Sequence, residues 1–383
     1  MKLIHISDLH IGKRINERSL AEEQTHILKQ ICDIIGNHKP DAVLIAGDIY
    51  DKAVPSAEAV MMFDDFLVSI SGLAGHIFMI SGNHDSAERN SFGARLLKSK
   101  GIHISPVYDG NISPVTLEDE AGPVDIYMLP YIRPANVRHL LPDEEKDEVS
   151  SYDSAVRKAV ERLRIDKGRR NIIIAHQFVT GSERSGSEDI NVGGIDNVDA
   201  SIFADFDYVA LGHLHKPQDC GSRSIRYCGS PLKYSFSEVN DRKSVTIVTL
   251  KEKGEPEREL VPLIPLHEWH DLKGSYAELT ARSFYAGTTY QEDFVRITLT
   301  DENDIPDAIG KLRTIYHNLL ELRYDNRRTQ SGRQKIEGTA EADRKTPVEL
   351  FAELYRKQNS DEMSEQQEAY IRNIIENIME GGR

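Results

Sequence analysis

The chain has 383 residues, 39% of them hydrophobic, and a formal net charge of −15. That length allows more than one domain. No apolar run approaches the roughly 18 residues of a membrane span, and the charge argues against a nonspecific nucleic-acid coat while leaving room for an enzyme that binds metal with its acidic residues. The start, MKLIHISDLH, lacks the basic-then-apolar layout of a signal peptide, so a cytoplasmic protein is expected. Cys32, Cys220 and Cys228 are too few and too far apart for a thiolate metal site and read as reduced thiols.

Residues 2–7 (KLIHIS) alternate apolar and polar side chains as a strand does, and 19–36 carry Leu20, Ile27, Leu28, Ile31, Ile34 and Ile35 at helical spacing before Pro40 ends the helix. AVLIA (42–46) reads as a buried strand, 56–70 as a helix, HIFMI (76–80) as a strand and 87–99 as another helix. Further strands are expected at 124–129, 171–175, 208–211, 225–228 and 244–250, with a helix over 152–164. This is a mixed α/β layout in which helices cover sheets.

Residues 262–274, with two prolines, read as a linker that closes a first domain near 265. A small α+β unit follows over 275–330: strand DFVRITL, a helix over 305–317, strand LLELRYD. Residues 325–345 are polar and read as a loop. TPVE (346–349) is a helix start with Thr346 as N-cap, Pro347 in the first turn and Glu349 completing a capping box, so C-terminal helices are expected over 345–380. SEQQ (364–367) offers a second start. The last helix carries Tyr370, Ile371, Ile374, Ile375, Ile378 and Met379 on an otherwise charged background.

The metal-type side chains sit where the strands end: Asp8 and His10 in SDLH, Asp48 in AGDIYD, Asn83 and His84 in GNHD, His176 in AHQ, and His213 and His215 in GHLH. In open α/β sheets the ligand crevice lies at the carboxyl ends of the strands, so five such loops can converge. Taken singly, an Asp-x-His at a strand end is usually a turn or a cap, and GNHD is compatible with a tight turn. All five in order, each after a β run, is a different matter. The Asp, His and Asn set suits manganese, iron or zinc rather than a thiolate site. Asp8, His10, Asp48, Asn83, His176, His213 and His215 are too many donors for one ion, whereas one shared aspartate gives four donors to each of two. Two ions so placed clamp a phosphate for in-line displacement.

The pattern DLH…GDIYD…GNHD…H…GHLH resembles the calcineurin-like metallophosphoesterases. HISDLHIG at the start, YCGSPLKYSFSE at 227–238 and the small downstream unit narrow the resemblance to the nuclease subunits of bacterial double-strand-break repair complexes. The resemblance implies a two-sheet core flanked by helices, with the 275–330 unit as a capping domain. It implies Asp8, His10 and His215 on a first metal, Asp48 bridging, and Asn83, His176 and His213 on a second. Mn2+ is the expected ion, with Mg2+ as the alternative. His84 would then be the acid that protonates the leaving oxygen, and Asp85 would hold its ring. Relatives with a histidine just after the second motif differ from this chain, which has Asp51 there.

The same resemblance implies a partner ATPase with coiled-coil arms, docked on the C-terminal helices through Leu350, Phe351, Leu354, Tyr370, Ile371, Ile374 and Ile378. It also implies a homodimer formed through the helices at 56–70 and 87–99. Lys13, Arg14, Arg18, Lys52 and Arg89 follow the motifs and are candidate contacts for DNA phosphates. The expected activity is double-strand exonuclease and single-strand or hairpin endonuclease. A small-substrate phosphodiesterase or phosphatase, or a scaffold without turnover, are the alternatives.

Overall fold

The computed structural model describes residues 1–16, 18–186, 188, 196–327, 329, 347–359 and 362–381. The Thr346 cap, most of the 325–345 loop and the side chains of Ile378 and Met379 lie outside the described residues. No helix among them is long and apolar enough to cross a membrane.

Two six-stranded sheets form the core. In the first, Lys2–Ile6, Ala42–Ala46, His76–Ile80 and Ile102–Ile104 run parallel in that order, and Ser244–Thr249 and Glu257–Pro262 add antiparallel on the Lys2–Ile6 side. In the second, Ser222–Tyr227, Tyr208–Gly212, Arg170–His176 and Gly122–Leu129 are parallel neighbours, with Gln218–Cys220 and Val115–Asp119 antiparallel at the edges. Leu3, Leu44 and Phe78 of the first sheet pack on Val124, Ile172, Ile174 and Tyr208 of the second. Strands buried on both faces read as continuous apolar runs, which is why AVLIA and NIIIA stand out in the sequence.

The outer face of the first sheet is covered by helices Ala21–His38 and Ala57–Ser71. The first buries Ile27, Leu28, Ile31 and Ile35 and stops at Lys39, whose left-handed φ of 45° precedes Pro40. The second is capped by Ser56, whose side chain accepts from the Ala59 amide. Helix Tyr152–Glu161 covers the second sheet with Ala155, Val156, Ala159 and Val160.

Three expectations change. The helix over 87–99 is two single turns, Ala87–Asn90 and Ala94–Leu97, because Gly93 adopts φ 74° between them. The supposed linker at 262–274 contains the strand Trp269–Gly274, which pairs in parallel with Phe294–Leu299, itself parallel to Leu319–Tyr324. The prolines at 262 and 265 interrupt only the stretch before it, so the small sheet begins ahead of 275. The helix expected over 305–317 is confined to Ala308–Arg313. Trp269, Phe294 and Leu320 join the apolar layer beneath the first sheet's helices, which seats this unit on the core. Helices Pro347–Asn359 and Glu365–Gly381 end the described chain.

Candidate metal centre

The loops that leave the parallel strands all open at the same end of the two sheets. Asp8 and His10 follow Lys2–Ile6, Asp48 follows Ala42–Ala46, Asn83 follows His76–Ile80, His176 ends Arg170–His176, and His213 and His215 follow Tyr208–Gly212. Seven non-glycine residues among those described have positive φ, and four of them are in this set: Asp8 (53°), His10 (43°), Asp48 (49°) and His213 (104°). Left-handed backbone at non-glycine residues costs energy and persists where the surroundings over-determine it. Here the four side chains all enter the same donor cluster. Close approach also dictates Gly212, where a Cβ would lie 2.0 Å from the Ala46 carbonyl oxygen.

The donors meet. His10 Nε2 and His215 Nε2 are 3.1 Å apart. Asn83 Oδ1 lies 3.0 Å from both His176 Nε2 and His213 Nδ1. Asp48 Oδ2 is 3.3 Å from His176 Nε2 and 3.7 Å from His10 Nε2, so it touches both groups. Asp8, His10 and His215 form one cluster with ligand atoms within 4.8 Å of one another, and Asp8, Asp48 and His176 form another. The structure thus brings together all seven residues read from the sequence. The two imidazole nitrogens 3.1 Å apart can share a proton or present their lone pairs to one cation, and the donor set fits two divalent ions that share a carboxylate.

The electrostatics agree. Burial pushes His10 and His213 well below the usual histidine range, in the neutral form that binds metal. Burial opposes charge on His176 too, but Asp48 and Asp8 outweigh it and raise its pKa to about 9. Asp48 is held well below the carboxylate range, because His176, His10 and His84 overcome the cost of burying it. Burial raises Asp8. His215 is raised as well, against its burial, by Glu238 and Asp8, so it is His176 and His215 that favour a proton beside the buried carboxylates.

His84 stands apart. Its side chain keeps 14% of its surface exposed, against 1% for His10 and none for His176. Its amide donates to Asp48 Oδ1 at 2.8 Å, its Nδ1 lies 3.1 Å from the Asp51 carbonyl oxygen, and its Nε2 is 4.0 Å from Asp48 Oδ2. It also clusters with His10 and Asp48 closely enough to share an ion, so separation from the ligands rests on its exposure.

Asp85 does not hold that ring. Its carboxylate accepts from the amides of Ile49, Tyr50 and Gly82 at 3.1, 3.1 and 2.9 Å, fastening the Asp48 loop to the Asn83 loop. Desolvation and the charge of Asp48 raise its pKa to about 6. Asp51 joins the site instead: beside the carbonyl contact to His84, its carboxylate bridges Lys13 at 2.8 Å and lies 3.8 Å from His10 Nδ1.

Among the residues considered for DNA, Lys13 is tied to Asp51 and lies 5.8 Å from the centre of the Tyr234 ring. Arg18 stacks on Phe294 of the small sheet at 5.6 Å, which gives it a structural role at that junction. Arg14, Lys52 and Arg89 are exposed. Sequence reasoning did not mark Tyr131, whose ring stacks on His213 at 6.3 Å, nor Glu188, which accepts from the His215 amide at 2.7 Å. Neither has a motif spacing that would single it out.

The calcineurin-like phosphoesterase family matches residues 1–217, and the family described as type 5 capsule protein repressor C-terminal domain matches 262–359. The SbcCD nuclease protein SbcD of Staphylococcus epidermidis is 32% identical over 326 residues, which cover 84% of this chain and 85% of that one. A dimetal phosphatase from Danio rerio aligns with 69% of this chain and 99% of its own at 11% identity and a TM-score of 0.39, too distant to bear on the argument. The first match spans more than half of the chain and the staphylococcal relative most of it: the chain belongs to the calcineurin-like phosphoesterases and, within them, to the SbcD nuclease family.

Proposed function

We propose that this protein is the nuclease subunit of an SbcCD-type complex, a metal-dependent phosphodiesterase that cuts DNA as a 3′–5′ exonuclease on duplex ends and an endonuclease on single strands and hairpins. The observation that carries the reading is the convergence of six buried donors, Asp48 central among them, with the half-buried Asn83, and one partly exposed imidazole, His84, at the rim. Asp8, His10, His215 and Asp48 would hold one ion, and Asp48, Asn83, His176 and His213 the other, Mn2+ in preference to Mg2+. When bound, the pair clamps the scissile phosphate and lowers the pKa of the attacking water.

The protein's own residues do the rest. Asn83 donates oxygen without adding negative charge where a phosphate must sit. His84, with Nδ1 donating to the Asp51 carbonyl, turns Nε2 toward the site and delivers its proton to the leaving oxygen. Arg14, Lys52 and Arg89 meet the DNA backbone from the surrounding surface.

The partner we assign is an SbcC-like coiled-coil ATPase, docked on the C-terminal helices, which expose Phe351, Leu354 and Tyr370. A second copy of the chain would cover Met61, Val68, Phe92 and Leu96. All four are exposed, and Phe92 lines a cleft of about 280 Å³ with Val60, Phe63 and Leu67 of helix Ala57–Ser71. Purified protein with Mn2+ should cut end-labelled duplex and hairpin DNA. Cleavage of a small nucleotide diester but not DNA would point to a small-substrate enzyme, and inactivity with Mn2+ and Mg2+ alike to a scaffold.

A further inference from the structure

The segment YCGSPLKYSFSE supplies no metal ligand, yet its last residue lies fully buried behind one. Glu238 has no solvent exposure. Its Oε1 is 3.6 Å from His215 Nδ1 and accepts from the Tyr234 amide at 3.3 Å. Its Oε2 takes the Lys243 ammonium at 2.5 Å. Lys243 is buried as well and donates to the His215 carbonyl oxygen at 2.8 Å and to Ser230 Oγ at 3.0 Å. On the far side of the ring, His215 Nε2 faces His10 Nε2.

The His215 residue is therefore gripped at its amide by Glu188, at its carbonyl by Lys243 and at its ring by Glu238. A buried ion pair that served folding alone would have no reason to turn one carboxylate oxygen to an imidazole whose other nitrogen lines the metal pocket. Metal-binding histidines commonly present the second nitrogen to a carboxylate, which fixes the tautomer and the ring plane. We propose that Glu238 is a positioning residue for His215. Its Oε1 faces Nδ1 at 3.6 Å and favours the tautomer with the proton on that nitrogen, which leaves the Nε2 lone pair for the first metal, and Lys243 holds the carboxylate in place. The inference rests on the two-metal reading of the site.

The test is titration of the metal-free full chain with Mn2+ by calorimetry, with thermal melting of the same metal-free samples. The variants are Glu238→Asp, which keeps the carboxylate but withdraws it by one methylene, and the charge-balanced Glu238→Gln/Lys243→Met. Wild type should bind two ions. In the double variant one site should weaken by about 10–100-fold while the other keeps its affinity, and Glu238→Asp should show a smaller loss at the same site. If the double variant does not fold, Glu238→Asp decides alone. Wild-type affinity at both sites in the folded variants, whatever happens to melting, would reduce Glu238 to a packing ion pair and overturn the inference. Fewer than two ions bound by wild type would instead refute the two-metal reading beneath it.

Discussion

His84 Nδ1 lies 3.1 Å from the main-chain carbonyl oxygen of Asp51, so Asp51 meets the candidate acid through its backbone rather than its side chain. Asp51→Ala leaves that carbonyl in place. Its single-turnover cleavage rate should fall well short of the roughly 10²-fold loss that follows removal of a proton-transfer group. A loss as large as that of a His84 variant would mean that the Asp51 carboxylate itself moves the proton.

Gly82 is the tightest point of the Asn83 loop. A Cβ there would lie 2.2 Å from Asp48 Oδ1 and 2.4 Å from the Asp48 amide nitrogen. Gly82→Ala must push the Asp48 carboxylate aside. The expected outcome is loss of tight binding of two Mn2+ ions, together with about 1–3 kcal/mol of destabilisation from overpacking. Calorimetric titration and chemical unfolding read the two effects separately.

Metal and protons should compete. His176 has its pKa raised to about 9 by Asp48 and Asp8, so the metal-free protein carries a proton on this ligand at neutral pH. A metal requires the neutral ring. Mn2+ binding should therefore release protons, and apparent affinity should climb as pH rises from about 6.5 toward 9. Calorimetry in buffers of different ionisation enthalpy measures the release; a binding heat that is independent of buffer would contradict it.

Acid should weaken the contact between the two sheets. His5 Nδ1 lies 2.9 Å from Tyr208 Oη across the inter-sheet core, and burial, with Arg226 nearby, lowers the His5 pKa to about 3. The unfolded chain takes up this proton below about pH 6.5, whereas the folded one does not until about 3. Stability thus falls as pH drops through that window, by up to about 1.4 kcal/mol per pH unit from this residue. His5→Gln should flatten the decline seen in urea unfolding between pH 4 and 7.

The ligand loops were legible because each couples a glycine or a sharp turn to a polar side chain directly after a buried apolar run, and Asp48 and His213 even adopt the strained backbone that such loops demand. The edge strands were not. Val115–Asp119 and Glu257–Pro262 bury few side chains, so no apolar run marks them. Trp269–Gly274 was hidden by the prolines just before it. Glu238 and Glu188 escaped for another reason: they act on His215 from a short 3-10 turn and a loop, where nothing in the spacing ties them to a distant ligand. The role that the resemblance implied for Asp85 does not hold, because the tight turn sends its carboxylate back to the Asp48 loop.

The most direct test is cleavage of end-labelled duplex and hairpin DNA with Mn2+ by wild type, His84→Leu and Asp48→Ala, with Mn2+ stoichiometry measured on the same preparations. The account predicts that wild type cuts, that Asp48→Ala loses both the paired ions and activity, and that His84→Leu keeps two ions while its rate falls by about 10²–10⁴-fold. Wild-type cleavage by His84→Leu, or by Asp48→Ala with fewer than two ions, would contradict it.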